Sequence, residues 1–165
     1  MKRLILIGGP MGVGKTAVSR ELQTRLPRSA FLDGDWCWDM RPFVVNDETK
    51  AMVMDNIHHM VNGFLRCGEV ENIVFCWVMH EQGIIDAVLS ESELGGAEVR
   101  VFSLIANEEE LAARISGDID RGVRQSDALG RSLSYLPKYA KLDTERIDTS
   151  RCTVAEAAEE ILRRL

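Results

Sequence analysis

The chain has no run of lysines and arginines interleaved with aromatics, no apolar stretch approaching a bilayer span, and no repeat or low-complexity tract. The first absence, with 26 acidic against 20 basic residues and a net charge of −6, argues against nucleic acid as a partner. An anionic ligand would have to be drawn by a local site rather than by the field of the whole protein. The second argues against a membrane partner, and Leu4–Ile7 behind Lys2 and Arg3 is far too short for a signal peptide. The cytoplasm is the expected compartment. Only four residues are proline, too few for a rigid linker. The four cysteines, Cys37, Cys67, Cys76 and Cys152, form no C-x-x-C pair and no zinc-like spacing. Cys76 lies in an apolar run, where a reduced buried thiol is expected.

What is present is an ordinary globular composition, 45% apolar and 28% charged. At 165 residues, one domain with no internal boundary is expected. Such a chain buries roughly two-thirds of the surface its unfolded form exposes. Leu4–Ile7 is a short apolar run stopped by Gly8-Gly9, the pattern of a buried parallel strand. Val18, Leu22 and Leu26 then predict a helix from about Gly14 to Pro27. Ala30–Leu32 predicts a second strand, and Ile73–Met79 a central strand buried on both faces.

Helical periodicity runs from Asp47 to Gly68, and Ile84, Ile85, Val88 and Leu89 suggest a helix after the third strand. Val99–Ile105 predicts a fourth strand, after which Asn107 and Glu110 mark a helix N-terminus. Asp118–Gly130 is polar and aperiodic; Leu133, Leu136 and Tyr139–Ala140 suggest a helix, and Ile147 marks a short last strand. A capping box, Thr153-x-x-Glu156, opens an amphipathic final helix. Strands alternating with helices make an α/β fold with a parallel sheet between helical layers. Ligands gather at the C-terminal strand ends of such sheets.

Gly9-Pro10-Met11-Gly12-Val13-Gly14-Lys15-Thr16 satisfies G-x-x-x-x-G-K-[ST] between a predicted strand and a predicted helix. Glycines let successive N–H groups turn inward toward phosphate oxygens, and the helix N-terminus adds partial positive charge. Lys15 is expected to bridge the β- and γ-phosphates of ATP, and the Thr16 hydroxyl to ligate Mg²⁺. Asp33-Gly34-Asp35 follows the second strand. Two acids separated by one glycine divide the remaining labour, Asp35 accepting the acceptor's proton and Asp33 ordering Mg²⁺.

On these residues the chain resembles the small P-loop kinases, the group containing shikimate, gluconate and adenylate kinases and chloramphenicol phosphotransferase. The resemblance implies a three-layer P-loop NTPase fold with a five-stranded parallel sheet ordered 2-3-1-4-5 and a lid. It implies that Asp35 contacts the acceptor hydroxyl, with an acceptor-binding segment over about residues 36–67 that carries Trp36, Trp38, Arg41 and Phe43. Arg41 suits an acceptor carboxylate or phosphate. A lid over about 118–130 is implied, in which Arg121 and Arg124 reach the migrating phosphate and Arg114 lies near the adenine.

The pattern also departs from the group. No acid closes the third strand, which is expected to end at His80-Glu81; Glu81 is a candidate substitute for the missing Mg²⁺ acid, and His80 a candidate acceptor contact. His58 and His59 are adjacent rather than four apart and are read as structural. The glycine-rich stretch of shikimate kinases after this strand is absent, as is the Asp-Gly-x-Pro-Arg signature of adenylate kinase. The leading expectation is therefore ATP- and Mg²⁺-dependent transfer to a small-molecule hydroxyl. A nucleoside monophosphate kinase and a nucleotide-binding NTPase without phosphotransfer are the alternatives. The acceptor and the oligomeric state are not legible.

Overall fold

The computed structural model describes residues 2–165. β1 (Arg3–Gly8) holds the centre of a five-stranded parallel sheet, with β2 (Ser29–Asp33), β3 (Asn72–Cys76), β4 (Glu98–Ile105) and β5 (Glu145–Asp148) ordered β2-β3-β1-β4-β5. Leu4, Ile5, Leu6 and Ile7 have no exposed surface, which is why their sequence is uninterrupted rather than alternating. Ile5 and Ile7 join the core beneath α1 (Lys15–Arg25), α4 (Glu108–Asp120), α5 (Ala128–Tyr135) and α6 (Val154–Arg164). Leu4 and Leu6 join the opposite core, beneath α2 (Asp47–Arg66) and α3 (Gln82–Ser90).

The helix boundaries follow local chemistry. Asn46 and Thr153 close reciprocal capping boxes at α2 and α6, and the Asn107 side chain accepts from Glu110 N at α4. α1 has no side-chain cap, because its N-cap is the phosphate-loop glycine Gly14.

Three sequence expectations are corrected. The third strand ends at Cys76, not Met79. Trp77 N still donates to Ile7 O at 3.2 Å, but the flanking strands stop at Gly8 and Asp33. The apolar run continues because Trp77 and Met79 are buried by packing: a Cβ on Gly34 would lie 2.5 Å from the Trp77 ring. The aperiodic segment is also shorter than expected. α4 extends to Asp120 and α5 begins at Ala128, leaving 121–127 as the connection. Finally, the helix expected through Ala140 stops at Tyr135, and a 3₁₀ turn (Leu136–Lys141) follows around Pro137, whose missing N–H cannot continue an α-helix.

Candidate functional site

The loop leaving β1 is shaped by backbone that only glycine adopts easily. Gly9, Gly12 and Gly14 have φ of 152°, 80° and 102°. Sterics agree with torsions: a Cβ at Gly9 would lie 2.7 Å from Leu104 O, and one at Gly12 would lie 2.5 Å from Ile115 Cγ1. Three elements pin the loop from outside. Ser132 Oγ on α5 donates to Met11 O at 2.7 Å, while Arg114 Nη1 on α4 and Thr149 Oγ1 beyond β5 each donate to Val13 O at 3.4 Å. Lys15 Nζ donates to Pro10 O at 3.0 Å across the loop. Burial pulls the Lys15 pKa down, against the opposing pull of Asp35 and Asp33.

One carboxylate ties this loop to the second strand. Thr16 Oγ1 donates to Asp33 Oδ2 at 2.8 Å, and Asp35 N donates to Asp33 Oδ1 at 3.1 Å. Asp33 is 6% exposed and its Cα pairs with Cys76 across the sheet. The third strand ends without an acid, and the buried carboxylate beside Thr16 stands at the end of the neighbouring strand. Glu81 is exposed and paired with Lys138 at 2.7 Å. Cys76 takes the strand-end position as a neutral thiol, its pKa pushed up to about 12 by burial and then by Asp33.

Asp35 is the second residue of the 3₁₀ turn Gly34–Trp38 and borders a cleft of about 430 Å³ shared with Trp36, Trp38, Asp39 and Phe43. Its carboxyl is held above its usual range, first because the surrounding walls strip water from the charge and then by Asp33. Trp36 meets Phe31 edge-on at 5.4 Å, and the Arg20 guanidinium covers both rings, 4.1 Å and 5.2 Å from their centroids. Arg41 is exposed, forms no ion pair among the described residues, and does not line this cleft. His80 does not line it either: its ring stacks on Tyr135 at 4.0 Å, and burial lowers its pKa. His58 is buried, with Nε2 2.9 Å from Ala87 O, as a structural histidine would be.

The arginines divide. Arg121 and Arg124 both pair with Asp118, at 2.7 Å and 2.8 Å. The charge of Arg124 reaches inward, lowering the pKa of both Lys15 and Asp35, whereas the Arg121 side chain is 70% exposed. Arg114 is committed to Glu110, Val13 and Thr149, and lines a second cleft of about 310 Å³ behind the loop with Gly12, Val13, Thr149, Cys152 and Thr153. Sequence reading missed Ser132, Thr149 and Cys152 here. For Thr149 and Cys152 the signal was their place just after the last parallel strand, where such sheets gather ligands.

The donor set suits Mg²⁺. Thr16 and Asp33 offer hard oxygen ligands, and no group of three or more His, Cys, Asp or Glu positioned to hold a metal occurs among the described residues. Mg²⁺ is commonly held by one or two protein oxygens together with substrate phosphates rather than by an all-protein cage.

The AAA domain family matches residues 5–131. No curated protein matches the chain. Among solved structures, the tunicamycin resistance protein of Deinococcus radiodurans is similar at 19% identity and a TM-score of 0.71, with 99% of this chain and 95% of that one covered. A gluconokinase from Sinorhizobium meliloti is similar at 19% identity and a TM-score of 0.70, covering 98% and 90%. Shikimate kinase from Acinetobacter baumannii, solved with shikimate, gives 21% identity and a TM-score of 0.65, covering 99% and 93%. These likenesses show a shared fold, whose sheet order in this chain is 2-3-1-4-5.

Proposed function

The chain belongs to the AAA domain family, and from that premise we propose that it is an ATP- and Mg²⁺-dependent kinase transferring the γ-phosphate to a hydroxyl of a small molecule. The observation that carries this reading is the buried carboxylate of Asp33, bonded on one side to Thr16 and on the other to the backbone of Asp35. It joins the phosphate loop to an acidic residue that borders a separate cleft, which supports a second substrate placed beside the nucleotide.

In this reading the loop N–H groups and Lys15 bind the β- and γ-phosphates. Thr16 and Asp33 hold Mg²⁺, which neutralises phosphate charge when bound. Asp35 accepts the proton of the acceptor hydroxyl, and its raised pKa brings it nearer the working pH of a general base. Arg124 stabilises charge on the migrating group, with Arg121 joining it once released from Asp118. Arg114 supports the loop from the second cleft behind it, where the adenine would lie.

An acceptor screen with ATP and Mg²⁺, read by mass spectrometry, tests the reading by looking for a product that gains one phosphoryl group. Asp35→Asn is expected to lower turnover by about a hundred- to ten-thousand-fold while ATP binding survives. An unimpaired rate removes Asp35 from that role. Steady ATP hydrolysis that no acceptor alters, with no phosphorylated product, would overturn the kinase reading in favour of an NTPase.

A further inference from the structure

The acceptor side carries a chemical preference of its own. Eight large hydrophobic side chains stand exposed among the described residues, and six of them lie between residues 36 and 60: Trp36, Phe43, Val44, Val45, Met52 and Met60. Trp36 is 55% exposed and Phe43 62%. Exposed apolar side chains scattered singly need no explanation, but two of these, Trp36 and Phe43, line the cleft next to Asp35. The cleft next to Asp35 is walled by Trp36, Trp38 and Phe43, with the Trp38 and Phe43 rings 5.3 Å apart.

The charge of the cleft is one-sided. Asp35 and Asp39 line it and no cation does. Arg20 is engaged over Phe31 and Trp36, and Arg41 lies outside the lining. A carboxylate or phosphate on the acceptor would face two carboxylates with no cation in the lining, whereas an ammonium would be attracted and a flat apolar body would stack on the rings.

Resting on the phosphotransferase reading above, we propose that the acceptor is a hydroxylated compound with a planar apolar body and no anionic group, an ammonium being favoured over a neutral substituent. In the transfer, the acceptor oxygen forms a bond to the γ-phosphorus as the bond from that phosphorus to the β,γ-bridging oxygen breaks. ADP leaves with the electron pair, and the hydroxyl proton passes to the Asp35 carboxylate and on to solvent.

The test is a matched series sharing one aryl alcohol: a phenylethanolamine, phenylethanol and mandelate, with gluconate as a sugar-acid control. Each is titrated against the intrinsic tryptophan fluorescence of the full chain, and each is incubated with ATP and Mg²⁺ for product detection. The expected order of affinity is amine, then neutral alcohol, then mandelate, with about tenfold or more between the first and last. Asp39→Lys is expected to reverse the preference between amine and mandelate. Phe43→Ala is expected to weaken the aryl compounds by about fivefold, the scale of one lost aromatic contact. Titration with a fluorescent ATP analogue reports whether each variant is folded.

Tighter binding of mandelate or gluconate, or no quenching by any aryl compound, overturns the proposal. Product from gluconate or mandelate alone would do so while leaving the kinase reading intact. The expected affinity order without any phosphorylated product would leave the recognition inference standing and count against the kinase reading.

Discussion

At the scale of single residues, the site depends on a few groups that cannot be exchanged. Asp35 is the clearest, because its raised pKa has two opposite consequences. In the kinase reading Asp35 is the general base and must be ionised, so the rate falls as pH drops through its pKa. The acid limb of the pH–rate profile is expected above the ordinary value of 3.8 and is lost in Asp35→Asn. Stability runs the other way. The folded chain binds this proton more tightly than the unfolded chain, so the Asp35 contribution to stability is present below 3.8 and lost as pH rises through its folded pKa. Asp35→Asn should therefore be more resistant to urea at neutral pH than the parent while being less active, a combination that denaturation curves and rate assays read together.

Gly12 is as constrained for a steric reason. Its φ of 80° and the 2.5 Å approach of Ile115 to a would-be Cβ leave no room for a side chain. Gly12→Ala is expected to destabilise the fold by about 1–3 kcal/mol in urea titrations and to weaken nucleotide binding. Thr16 is constrained by its hydroxyl rather than its size. Thr16→Ala should raise the Mg²⁺ concentration needed for half-maximal activity, and Thr16→Ser should restore it.

At the scale of elements, the connection between α4 and α5 is the segment whose arrangement the sequence described least well. Asp118 and Asp120 looked like loop residues because they are polar, yet they complete the last turn of α4. The consequence is that Asp118 holds Arg121 and Arg124 in one cluster, and both guanidinium groups lower its pKa. Asp118→Asn should free both arginines. In the kinase reading the expected effect is tighter ATP binding with a changed turnover, checked by equilibrium nucleotide titration beside steady-state rates; unchanged values would mean the pairing does not restrain the segment. α6 shows the opposite case, where local sequence was sufficient. Its capping box was visible in Thr153 and Glu156, and Thr153→Ala is expected to cost about 1 kcal/mol in chemical denaturation.

At the scale of the whole molecule, the sheet separates two cores that share no buried residue. Ile161 anchors one and Ile57 the other, and both are fully buried. Each change to alanine should cost about 2–5 kcal/mol, and the pair should add to within about 0.5 kcal/mol because the sheet lies between them. Failure of additivity would mean that the sheet transmits the repacking from face to face.

The sequence alone determined what depends on neighbours in the chain. The β1–loop–α1 unit is local, so glycine spacing, Lys15 and Thr16 sufficed to identify the phosphate loop. Apolar periodicity likewise located the central strands and most helices, because burial of one face or both leaves its mark residue by residue. Only the tertiary structure decided which distant groups meet. The third strand stops at Cys76 because its neighbours stop, and no property of Trp77–Met79 announces that. Asp33 meets Thr16 because β2 and α1 converge, and Ser132 and Thr149 brace the loop from more than a hundred residues away. Parallel strands carry remote segments to one sheet edge, and that convergence, not any single motif, gathers the two clefts beside the loop.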